Sequence, residues 1–159
     1  TSARWYARDV LGIVNALESI DNVDKRHLFM LGHSMGGQVT LRVAGLLGDK
    51  LSGASIWSTQ LPTETDIKDT GLIPIVSQLK LINSPLNIHH AQADQTTLFG
   101  GSVTIATQLT QLSKPNNLYA YASDSHLFTD DNLRLAINRD IRFFRHIMAF
   151  NNRGRQSPP

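Results

Sequence analysis

The chain is 159 residues long, 41% hydrophobic and 18% charged, with 15 Lys and Arg against 13 Asp and Glu for a formal charge of +2. That is the size of one domain able to bury roughly 68–70% of its unfolded surface, too apolar for a disordered tail and too sparsely charged for a coiled coil. The absence of cysteine excludes disulfides, thiolate metal sites and cysteine nucleophiles. The basic excess in Arg139, Arg142, Arg145, Arg153 and Arg155 is a helix face plus a tail, not the dense basic stripe of a nucleic-acid binder.

No apolar run approaches the ~18–20 residues of a membrane helix, and Thr1-Ser2-Ala3-Arg4-Trp5 lacks the basic-then-apolar order of a secretory leader. No membrane or nucleic-acid partner is expected, and the compartment stays open, with the cytoplasm favoured for want of a leader in these residues. In chain order, Ala3, Ala7, Val10, Val14 and Leu17 recur at steps of three and four, which predicts an amphipathic helix ended by Asp21-Asn22. Leu28-Phe29-Met30-Leu31 reads as a strand buried on both faces, as in a parallel sheet. Met35, Val39, Val43 and Leu46 return to helical spacing and Gly48 closes the element. Ala54-Ser55-Ile56-Trp57 is a second strand, and the polar stretch 59–71 is a loop.

Pro74 opens a short helix carrying Ile75, Val76, Leu79 and Ile82. A third strand, Leu86-Asn87-Ile88-His89-His90, is followed by a loop to Gly101 and a helix that Ser102 can cap. Leu118-Tyr119-Ala120-Tyr121 is the fourth strand. A last helix from about Asp130 is expected to bury Leu133, Ile137, Ile141, Phe144 and Met148, with acidic residues at its start and Arg145-His146 at its end suiting the dipole. Strands alternating with helices imply an α/β fold of three layers, helices covering both faces of a parallel sheet of about four strands. Residues 1–150 form the domain and 151–159 a loose tail.

Gly32-His33-Ser34-Met35-Gly36-Gly37 is a G-x-S-x-G placed where a predicted strand turns into a predicted helix, the setting of a nucleophile elbow. A strained turn there lifts the Ser34 hydroxyl clear of the sheet, and side chains at the flanking glycines would collide with the neighbouring strand and helix. At the helix amino terminus the Met35 N–H and the dipole favour an oxyanion. A serine hydroxyl needs a histidine base, itself oriented by a carboxylate. Asp94 follows the third strand and His126 the fourth. In a parallel sheet groups just past the carboxyl ends of the strands meet at one edge, and the order Ser34, Asp94, His126 is the one this architecture uses.

Three blocks, Leu31-Gly32-His33-Ser34-Met35-Gly36-Gly37, Ile88-His89-His90-Ala91-Gln92-Ala93-Asp94 and Tyr121-Ala122-Ser123-Asp124-Ser125-His126, resemble the α/β-hydrolase family, more narrowly its branch of dienelactone hydrolases and prolyl-oligopeptidase-like serine hydrolases. The resemblance runs from Trp5 to about Met148. It implies a partial α/β-hydrolase fold lacking the usual amino-terminal strands and the second oxyanion donor that a loop there supplies. The family's acid loop is usually written I-H-G-x-x-D. Here His90 takes the histidine place and Ala91 the glycine place, which predicts strain at Ala91 if the turn needs positive φ. In the third block Ala122-Ser123 stands where the family often has Pro-Gly.

Asp124 is the competing carboxylate for His126. His89 and His90 alternate across a strand, so the pair does not make a metal site. Trp57 and His33 are candidates for the substrate-pocket wall, with plain packing the alternative for both. The expected activity is hydrolysis of a small carboxylic ester without metal or organic cofactor. A peptidase of the prolyl-oligopeptidase type and a non-catalytic binding module are the rivals. The elbow-bearing strand is expected at an open edge, covered by a second copy or by an amino-terminal segment.

Overall fold

The computed structural model describes residues 3–59, 75–122 and 125–153. Helix α1 (Ala3–Leu17) precedes β1 (Phe29–His33), α2 (Met35–Leu47) and β2 (Gly53–Trp57). After them come α3 (Ile75–Leu79), β3 (Leu86–Ala91), α4 (Phe99–Gln111), β4 (Asn116–Tyr121) and α5 (Asp130–Arg153). The loop predicted over 59–71 falls almost wholly outside the described residues, as do Pro74, Ser123 and Asp124. The four strands form one parallel sheet in the order β1-β2-β3-β4, so every carboxyl end lies along one edge.

Alternation along the strands separates the two faces. Ala54, Ile56, Leu86 and Ile88 join Leu41 and Ala44 of α2, Leu79 of α3 and Ile105 and Leu109 of α4 in the main core. Their neighbours Ser55, Trp57, Asn87 and His89 turn to the other face, where Asp140 of α5 meets them. Helix α1 packs on α2 through Ala7, Val39 and Val43.

Three expectations need correction. The run 28–31 is not buried on both faces: Leu31 is 56% exposed, while β1 stands, as expected, at an edge of the described sheet. An apolar run reads alike whether or not a neighbouring strand covers it. Ser102 does not cap a helix; α4 begins three residues earlier, and Ser102 is buried inside it, donating to the Thr59 carbonyl at 3.0 Å. In α5 the stripe of Leu133, Ile137, Ile141 and Met148 is exposed and Phe144 half-buried, while Ala136, Asp140 and Ile147 face the sheet. One residue is about 100° of helix rotation. The hydrogen bonds that converge on Asp140 turn α5 by that amount away from its most apolar side.

Candidate active site

Ser34 sits between β1 and α2 with φ 56 and ψ −121, a sparsely populated conformation of the kind that persists where surrounding structure imposes it. Its N–H donates to the Trp57 carbonyl at 2.8 Å, and its carbonyl accepts from the N–H groups of Gly37 at 3.0 Å and Gln38 at 3.4 Å. The flanking glycines divide unequally. A Cβ on Gly32 would overlap the Gly36 carbonyl, and one on Gly37 would overlap the Thr59 hydroxyl, whereas one on Gly36 meets nothing within 4 Å. The collision expected at both motif glycines therefore holds at Gly32, and Gly37 rather than Gly36 makes the second close approach. The Met35 side chain is exposed, and its N–H lies in the first turn of α2, where helical N–H groups have no intrahelical acceptor.

Asp94 follows β3 and is buried. Its Oδ1 accepts the N–H groups of Thr96 at 2.8 Å and Thr97 at 2.9 Å, a local turn closed by the side chain. Its Oδ2 lies 2.9 Å from Nδ1 of His126 and 2.7 Å from the Thr97 hydroxyl. Burial pushes the Asp94 carboxyl up, but the Thr97 N–H, the His126 ring, the Thr97 hydroxyl and the Thr96 N–H outweigh it and hold the pKa at about 2. An ionised Asp94 accepts from His126 Nδ1–H, which leaves Nε2 free of that proton and pointing elsewhere. Ala91 belongs to β3 and is not among the positive-φ residues, so the strain anticipated there does not arise.

Two side chains that sequence reasoning had not assigned complete the acid loop. Thr97 shares its one hydroxyl proton between Asp94 Oδ2 and the Ser58 carbonyl at 2.9 Å, and its oxygen is 3.1 Å from His126 Nδ1. The spacing D-x-x-T was the available signal, since an Asp commonly closes a turn over the next few N–H groups. His90, fully buried, donates from Nε2 to the Thr97 carbonyl at 2.8 Å, lies 3.3 Å from Asp94 Oδ2, and on Nδ1 meets at 2.7 Å the Ser102 hydroxyl, whose one proton it shares with the Thr59 carbonyl. Burial pushes its pKa down, outweighing the Thr97 carbonyl and the Asp94 charge, and the ring is a hydrogen-bonded spacer between the acid loop and α4.

His33 touches the loop that carries His126: its Nε2 is 2.8 Å from the His126 carbonyl, and the two rings are 4.7 Å apart. Ser34 is the next residue, so His126 is held at the end of β1 beside the elbow. Trp57 is 7% exposed, and its indole N–H is engaged by Asp140 at 2.9 Å and Ser55 at 3.0 Å. It packs in the core beneath the loop, against Phe128. Among the described residues no three His, Asp or Glu side chains gather as metal ligands, and no helix is long and apolar enough to cross a membrane.

A family model of the dienelactone hydrolase family matches residues 4–145. The chain belongs to that family. No curated protein matches it by sequence. Among solved structures it is similar to Est1E from Butyrivibrio proteoclasticus, with a TM-score of 0.79 and 17% identity over 94% of this chain and 72% of that one. It is also similar to dipeptidyl peptidase 4 of Porphyromonas gingivalis, at 0.77 and 15% over 88% of this chain and 22% of that one. Arabidopsis thaliana SOBER1 superposes at 0.68 with 19% identity, over 92% of this chain and 64% of that one. The fold of this family member is thus that of the α/β-hydrolases, and the chain spans only part of the length of these neighbours.

Proposed function

We propose that this domain is a serine hydrolase that cleaves carboxylic esters through an acyl-enzyme. The observation that carries the reading is the chain of contacts at the carboxyl edge of the sheet. A low-pKa Asp94 holds His126 Nδ1, and His126 is latched through its carbonyl to the residue preceding a strained Ser34. In the reaction Ser34 Oγ attacks the ester carbonyl while its proton passes to His126 Nε2. The Met35 N–H and the amino end of α2 receive the oxyanion. The carbon–oxygen bond to the leaving group breaks as Nε2 returns the proton to it, releasing an alcohol. Water then attacks the acyl-serine with Nε2 again as base, and the acid leaves with Ser34 restored. Asp94 stays ionised throughout and stabilises the imidazolium.

Family membership supports hydrolysis as the reaction class. Est1E has been solved with ferulic acid bound, a carboxylic acid, and an ester is taken as substrate here on the same reasoning. The test treats the native protein with a serine-directed fluorophosphonate and locates the adduct, then compares p-nitrophenyl esters of graded acyl length with aminoacyl and dipeptidyl amides. An adduct on Ser34 with ester turnover is expected. Turnover of amides alone would make it a peptidase. No adduct at Ser34 would make it a binding module that keeps the elbow for packing.

A further inference from the structure

Below the loop carrying His126 runs a rung of ring-bearing side chains. His33, Trp57, His89 and Tyr119 stand in register on adjacent strands, all on the face toward α5. Trp57 and His89 are 5.2 Å apart between ring centroids, and His89 and Tyr119 are 5.0 Å apart. The loop rests on this rung at two points. The His126 carbonyl meets His33, and Phe128, two residues on, stacks on Trp57 at 5.3 Å and touches Tyr121 at 4.7 Å.

One carboxylate ties the rung together. Asp140 of α5 is buried, and its Oδ1 accepts from His89 Nε2 at 3.0 Å and Asn87 Nδ2 at 2.9 Å while its Oδ2 accepts the Trp57 indole N–H at 2.9 Å. His89 then presents Nδ1 to the Tyr121 hydroxyl at 2.7 Å. Burial pushes the Asp140 pKa up, but the bonds from His89, Asn87 and Ser55 and the nearby His89 ring outweigh it and keep the carboxyl below its ordinary value. A charge placed there, costly to bury, touches no group of the proposed triad. Its bonds instead fix the indole on which Phe128 lies.

We propose that Asp140 is a positioning residue for the hydrolytic reaction: by holding the Trp57 indole, and through it Phe128, it sets the backbone that presents His126. This rests on His126 being the base. Asn at position 140 shows why the charge is needed. If its one oxygen serves both His89 and Asn87, its amide N–H groups face the Trp57 N–H, donor against donor, and the indole keeps only Ser55 Oγ. The ring must turn, and Phe128 with it. A displacement of about 1 Å remote from the chemistry is enough to cost a large factor in rate.

The experiment measures kcat and KM of Asp140→Asn, Phe128→Leu and the double variant on a p-nitrophenyl ester, with circular dichroism for the fold and the low-field imidazole N–H resonance for the His126–Asp94 bond. Expected for folded Asp140→Asn is a kcat lowered roughly 10- to 100-fold with little change in KM, a shifted or broadened resonance, and a double variant no slower than the worse single one because both act through the same loop. A folded Asp140→Asn with wild-type kcat and an unmoved resonance overturns the proposal, as do losses that multiply in the double variant. If Asp140→Asn does not fold, Trp57→Phe, which keeps a ring and deletes the N–H, carries the same expectations and the same refutation. Should the wild-type protein take no fluorophosphonate at Ser34, the hydrolase reading fails on its own, and the resonance still decides whether Asp140 sets His126.

Discussion

Replacing Asp94 by Asn changes one atom and discriminates sharply between an orienting carboxylate and a structural one. In the native turn Oδ1 takes two backbone N–H groups, from Thr96 and Thr97 at 2.8 and 2.9 Å. The oxygen of an Asn must stay there, because turning the amide round would set its NH₂ against both donors and leave the buried Thr97 N–H unpaired, at about 1–3 kcal/mol. The amide nitrogen therefore occupies the Oδ2 position, 2.9 Å from His126 Nδ1, and it can only donate. His126 is forced into the tautomer with its proton on Nε2, where it cannot accept the proton of Ser34. In the serine protease that serves as the type case for this substitution the loss is about 10⁴-fold in kcat, near 5 kcal/mol of transition-state stabilisation. We expect a loss of that order here with KM little changed, read from initial rates on a p-nitrophenyl ester over a range of substrate concentrations. A folded Asp94→Asn protein within about tenfold of the wild-type kcat would refute the orienting role and turn attention to Asp124.

Ser34→Ala removes one oxygen and no packing, so ester turnover should vanish with the urea midpoint unchanged; residual turnover near wild type would remove Ser34 as nucleophile. Thr97→Val should lower kcat roughly tenfold, since a hydroxyl bonded to Asp94 Oδ2 is lost while the backbone N–H bond remains. Because Asp94 has a pKa near 2 against an ordinary 3.8, its contribution to stability, on the order of 2 kcal/mol, is complete above about pH 4 and drains as pH falls through 2. Urea unfolding at stepped acid pH should show a shallower pH slope for Asp94→Asn. Gly32→Ala, driven into the Gly36 carbonyl, should cost more than about 3 kcal/mol, whereas Gly36→Ala should fold normally; equal effects would show that the elbow's steric demand has been misplaced. We also propose that the open edge of β1 is paired in solution with a second copy or an amino-terminal segment, and a fully active, soluble 17.6 kDa monomer in light scattering would refute it.

The elbow, the alternation of strands and helices, and the order Ser34, Asp94, His126 were legible in the sequence because each is local. Glycine at a turn, apolar spacing and the polarity of a parallel sheet act over a few residues and place loop residues at one edge without knowledge of packing. The Asp94–His126 bond followed from that edge. Thr97 was within reach through its spacing from Asp94. What the chain order could not disclose depends on distant partners. That Leu31 stands exposed on β1 is a fact about what covers the strand and not about residues 28–31. That α5 turns its polar Asp140 inward and leaves Ile137 and Ile141 exposed contradicts its apolar stripe. The indole of Trp57, the amide of Asn87 and the imidazole of His89 meet that carboxylate from positions 51–83 residues away in sequence. A charge is buried only where such donors converge, and their convergence exists only once the sheet has formed.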